Sequence, residues 1–90
     1  MSQNHPLHSI TVRYFASIRE SIGQGSEPVQ TAAATLGGLR DELIARGGAY
    51  AASLARGKAV RMALNQLLCD DAAALADGAE VAFFPPVTGG

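Results

Sequence analysis

Cysteine is nearly absent from this chain. Cys69 is the only one among 90 residues, which excludes an internal disulfide and an all-cysteine metal cluster and agrees with a reducing compartment, the cytoplasm by expectation. Charge of one sign is missing too: seven basic and eight acidic side chains nearly cancel, so no general attraction draws the protein to nucleic acid or an anionic membrane. No run approaches the roughly 20 apolar residues of a membrane helix, and the polar start Met1-Ser2-Gln3-Asn4-His5-Pro6 lacks the basic and apolar regions of a signal peptide. A soluble, unprocessed chain is the expectation. Histidine is confined to His5 and His8 in that leader, and neither a glycine-rich phosphate loop nor a metal-ligand spacing occurs, so no metal and no bound cofactor are expected.

What is present is apolar: 48% of the residues, enough for one compact core but with little room for a catalytic cleft. Ile10-Thr11-Val12-Arg13-Tyr14-Phe15 alternates as a strand does, with Ile10, Val12 and Tyr14 on the buried face and Arg13 and Phe15 pointing the other way. Ala16 to Ile22 reads as a turn or a single helical turn, closed by Gly23-Gln24-Gly25. A second strand is expected around Glu27 to Thr31, at an edge because of Pro28. Thr35 is a candidate N-cap for a helix carrying Leu36, Leu39, Leu43 and Ile44 at helical spacing up to Gly47-Gly48, with Gly37 and Gly38 weakening its first turn. Ala49 to Lys58 fits a short helix or a loop.

Val60 to Leu64 alternates again, and Leu67-Leu68 either continues that strand or begins a short hairpin before Asp70-Asp71. Asp77-Gly78 marks a turn into Glu80-Val81-Ala82-Phe83-Phe84, a last strand with Val81 and Phe83 on one face and Ala82 and Phe84 on the other, halted by Pro85-Pro86. A helix with one apolar stripe and a sheet with a matching face are satisfied together when the helix packs across one side. The fold class expected is therefore α+β, a ubiquitin-like β-grasp with a mixed sheet and one main helix on one face. Residues 1–8 are expected to form a flexible leader, 9–84 the domain and 85–90 an extended tail.

Few side chains offer chemistry. Cys69 follows apolar Leu67-Leu68 with no histidine nearby, which favours a partly buried structural thiol over a nucleophile. Asp70 and Asp71 are adjacent and so diverge, as in a solvated turn rather than an acid–base pair. The ending Pro85-Pro86-Val87-Thr88-Gly89-Gly90 differs: the prolines stiffen the exit from the sheet, and the last two residues have no side chains to block entry into a narrow site. A terminal Gly-Gly alone is equally a disordered tail. If another protein adenylated that carboxylate, sulfur attack would leave a C-terminal thiocarboxylate, and the chain would be a co-substrate.

Two distant segments give the ending its context. Asp77 to Gly90 and Tyr14-Phe15-Ala16-Ser17-Ile18-Arg19-Glu20 closely resemble the small subunit of molybdopterin synthase, the MoaD-like ubiquitin-fold sulfur carriers. Val60 to Gln66, with Asn65, and Thr35 to Leu43 are similar to that family's third strand and helix, so the resemblance spans about residues 9–90. Ala79, where the family commonly has an acidic residue, Leu67-Leu68-Cys69 and the first eight residues depart from it. The resemblance implies a carrier that is no enzyme on its own. An E1-like enzyme consumes ATP to adenylate Gly90, a sulfurtransferase supplies sulfur, and the tail of Pro85, Pro86, Val87, Thr88 and Gly89 enters a pocket on the large catalytic subunit. Sulfur then passes to precursor Z in molybdenum cofactor biosynthesis, within a heterotetramer of two small and two large subunits.

Strand alternation leaves Phe15 and Phe84 opposite the helix, where exposed aromatics favour an interface, although Phe84 could simply cover its own sheet. The resemblance adds Leu68 and Arg19 to that expected partner surface. Rival readings share the fold: a thiazole- or cysteine-pathway sulfur carrier, which normally lacks Phe84-Pro85-Pro86 preceded by Phe83, or a ubiquitin-like modifier that passes its carboxyl group to lysines.

Overall fold

The computed structural model describes residues 7–86. Along the chain come β1 (His8–Tyr14), α1 (Ala16–Ile22), β2 (Ser26–Thr31), α2 (Leu36–Ile44), α3 (Gly48–Leu54), β3 (Arg61–Leu64), β4 (Leu67–Cys69) and β5 (Glu80–Phe84). The strands form one sheet in the order β2-β1-β5-β3-β4. β1 and β5 run parallel and the other pairs antiparallel, so the sheet is mixed and the final strand lies at its centre. With the helices on one face, this is the expected β-grasp.

The core forms between that face and the helices. Ile10, Val12 and Tyr14 from β1, Val81 and Phe83 from β5 and Met62 from β3 meet Leu36, Leu39 and Leu43 of α2, Leu54 of α3 and Ile18 of α1. Each fully buried large apolar side chain contributes about 1.5–3 kcal/mol by leaving water. Tyr14 and Phe83 stack with centroids 6.2 Å apart, joining the two central strands through side chains as well as backbone.

Thr35 caps α2 as expected, accepting from the Gly38 amide at 3.1 Å. Two further amides at that helix start, Leu36 and Gly37, donate to the carbonyls of Ala73 and Asp71, satisfying donors with no partner inside the helix. The approach is close because Gly37 has no side chain: a Cβ there would come within 3.0 Å of the Asp71 Cβ and 3.2 Å of its carbonyl oxygen. The glycine that weakens the first turn by propensity is what admits the loop that caps it.

Several elements sharpen or alter the sequence expectations. The segment read as a turn or one helical turn is a seven-residue helix, α1, with Ile18 buried and Ile22 packed against the core. The alanine-rich stretch resolves into α3. Leu67-Leu68 turns back as a hairpin strand through Asn65 and Gln66, whose φ angles of 50° and 72° match the type I′ turn suited to the twist of paired strands. Asn65 locks this tip to β5: its amide donates to the Glu80 carbonyl, and its Oδ1 accepts from the Glu80 amide at 2.9 Å. β1 begins at His8 rather than Ile10. β3 begins after Val60, and its alternation breaks because Met62 and Ala63 are both buried. Ala63 faces away from the helices, but it lies between Ala82 and Leu68 in the middle of the sheet, where a methyl group is covered by its neighbours.

Candidate functional site

The site begins where β5 leaves the sheet. Along the parallel β1–β5 ladder, the amide of Thr11 donates to the Ala79 carbonyl and that of Phe15 to the Phe83 carbonyl. The next rung in this pattern would need an amide at residue 85 to meet the Phe15 carbonyl. That carbonyl already accepts from Ile18 at 3.1 Å and Arg19 at 3.2 Å, because β1 has turned into α1. Pro85 has no amide to leave unpaired, so the sheet ends there without an orphaned donor, and the tail departs from its centre.

Phe15 and Phe84 flank this exit. The register pairing Tyr14 with Phe83 sets them side by side on the face without helices, Phe15 39% exposed and Phe84 half-buried. With Ala16, Ala82, Pro85 and Pro86 they line a shallow depression of about 640 Å³. Arg13 reaches over the Phe15 ring, its guanidinium carbon 5.2 Å from the centroid, while its Nη1 lies 3.4 Å from Glu80 Oε2. On the other side, Arg61 stands opposite Phe84 in the register. An apolar strip between two cations suits a partner whose contact surface is apolar at its centre and acidic at its rim.

Leu68, 64% exposed, shares this face, one strand beyond Ala63 and Ala82. The structure thus brings Phe15, Phe84 and Leu68 to one surface. Arg19 is placed elsewhere: it lies on α1 with its stem beside Gly25, where a Cβ would come 3.1 Å from Arg19 Nε. Pro85 and Pro86 form the rim of the depression, and Val87, Thr88, Gly89 and Gly90 lie outside the described residues. Alternation already placed Arg13 and Ala82 on this face; the parts they play depend on strand register, which no local pattern reveals.

The other candidates have structural work. Burial, and secondarily the Asp70 carboxylate, pushes the Cys69 thiol up from its ordinary value, so it stays protonated near neutrality and lies against the Met62 carbonyl. Asp71 pairs with Arg56, which also reaches Asp41 and the Gly37 carbonyl, whereas Asp70 accepts from the Ala72 amide. The two carboxylates therefore serve different contacts. Among the described residues, no group of three or more His, Cys, Asp or Glu is placed to hold a metal ion, and no helix is long and apolar enough to cross a membrane. His8 belongs to β1, and His5 lies outside the described residues.

Comparison with known proteins places this geometry. The profile of the ThiS family matches residues 12–90. The molybdopterin synthase sulfur carrier subunits of Escherichia coli and Haemophilus influenzae are 42% and 40% identical to the chain over 81 residues, covering 90% of it and 99% of each relative. A solved protein–protein complex of subunits 1 and 2 of molybdopterin-converting factor from Helicobacter pylori contains a chain 31% identical to this one, with a TM-score of 0.60, over 91% of this chain and 99% of that one. The chain belongs to the ThiS family and, within it, to the molybdopterin synthase sulfur carrier subunits.

Proposed function

We propose that this carrier works through a thiocarboxylate formed on Gly90 and delivered to the large catalytic subunit of molybdopterin synthase. The observation that carries the reading is the central position of β5: the tail leaves the middle of the sheet at Pro85-Pro86, beside the apolar depression of Phe15 and Phe84. A protein that receives the tail must cover that exit, so delivery and recognition share one surface.

The chemistry needs an outside activator. An E1-like enzyme joins the Gly90 carboxylate to the α-phosphorus of ATP and releases pyrophosphate. A persulfide carried by a sulfurtransferase then attacks the acyl carbon and AMP departs; a thiol attacks the resulting acyl disulfide at the sulfurtransferase sulfur, forming a disulfide there and releasing the Gly90 thiocarboxylate. In the large subunit that sulfur bonds to precursor Z, water hydrolyses the remaining acyl–sulfur bond, and the chain returns with an ordinary carboxylate. This chain contributes the acyl group, the reach of Val87, Thr88 and Gly89, and the docking surface of Phe15, Phe84 and Leu68. Arg19, set apart beside Gly25, would meet a partner only through a contact separate from that surface. The H. pylori relative, solved in complex with its subunit 2, supports a pairing of this kind, and a heterotetramer of two small and two large subunits is the assembly we assign.

Deleting Gly90, or adding one residue after it, abolishes oxygen-to-sulfur exchange by intact-mass spectrometry while circular dichroism remains native. Full sulfur loading of either variant would refute the assignment.

A further inference from the structure

Ala16 occupies a backbone conformation that a residue with a side chain rarely adopts. Its φ is +52°, in the left-handed region where a Cβ crowds the following carbonyl and glycine is the unstrained choice. The conformation has a clear geometric result. It lets Phe15 keep its rung to the Phe83 carbonyl while its own carbonyl turns to accept the Ile18 and Arg19 amides, so strand and helix meet with no intervening loop. Glycine would satisfy that turn at least as well. What glycine lacks is the methyl group, and here the methyl group belongs to a residue lining the depression between Phe15 and the Pro85-Pro86 exit. A strained residue retained at a recognition surface is a sign of use.

We infer that Ala16 is a specificity-determining contact: its exposed methyl group, lining the depression, meets an apolar side chain of the large synthase subunit, and its small size keeps that contact open beside the tail exit. The inference rests on the proposed docking of that subunit around Pro85 and Pro86. Phe15 and Phe84 form walls that a larger residue at position 16 would bridge.

Two substitutions that the left-handed backbone accepts separate fit from folding. Glycine removes the methyl group, and asparagine, which tolerates this region better than other residues with side chains, fills that space with a polar amide. Both variants are expected to melt within a few degrees of the native chain. In titration calorimetry against the purified large subunit, Ala16→Gly is expected to bind about fourfold more weakly, the equivalent of one buried methyl group. Ala16→Asn is expected to bind at least about tenfold more weakly, as for an obstructed hot spot. Native affinity in either folded variant overturns the inference, whereas failure of the native chain itself to bind overturns the docking on which it rests.

Discussion

Glu27 lies on the edge strand β2, yet three side chains donate to its carboxylate. Tyr14 and Tyr50 each reach Oε2 at 2.7 Å, and Arg46 reaches Oε1 at 3.1 Å. Burial opposes ionisation, but these donors outweigh it and hold the carboxyl below its ordinary value of 4.5. A depressed folded value stabilises the fold above the unfolded value, and the contribution is lost as pH falls through the folded one. Glu27→Gln is therefore expected to cost about 1–2 kcal/mol at pH 7, with the difference from the native chain shrinking below pH 4.5. Denaturant titrations at pH 7 and pH 3 read this directly, and an equal deficit at both would contradict it. Such a residue is hard to find from sequence, where an acidic side chain in an edge strand reads as solvated. Arg40 was hidden in the same way: it is 5% exposed and donates to the carbonyls of Leu54 and Ala55 at 2.7 and 2.8 Å, closing the end of α3. Its partners lie 14 and 15 residues away, beyond any local pattern.

Elements were legible where one face repeats and obscure where a contact is non-local. The alternation of β1 and β5 announced which residues face the helices and which face outward, because both are long enough to show the period. For α1, the spacing of Ile18 and Ile22 was the helical signal, but two residues in so short a segment do not distinguish a helix from a turn. At α2 the leucine spacing and the Thr35 cap announced the helix, whereas Gly37 lowers helix propensity locally and its benefit is a loop more than thirty residues downstream. Gly37→Ala accordingly tests propensity against packing. In an exposed helix alanine would stabilise by about 1 kcal/mol; here the added Cβ meets Asp71 at 3.0 Å, and a net loss of about 1–2 kcal/mol is expected. Equilibrium unfolding gives the sign, and a stabilised variant would show that the loop yields freely.

At the scale of the whole molecule, the two faces of the sheet divide the labour. One is covered by helices and supplies stability; the other exposes Phe15, Phe84 and Leu68, the surface proposed to meet a partner. Phe84→Ala is thus expected to weaken association with the large subunit by about 2 kcal/mol while leaving the far-ultraviolet spectrum unchanged, since Phe83 rather than Phe84 fills the core. Unaltered calorimetric affinity would assign recognition to the tail alone. Strand alternation made the fold and the shared face of Phe15 and Phe84 legible, but the shape of the depression and the placing of Arg13 and Arg61 beside it depend on which strands become neighbours.

The seating of β5 between β1 and β3 also has a mechanical meaning. A pull applied beyond Pro86 along β5 runs along a strand hydrogen-bonded on both flanks, so every rung of two ladders would resist together in shear. A tail attached to an edge strand would set the same pull against one ladder alone. In the proposed cycle, a carrier held by its end would thus be held against two ladders at once.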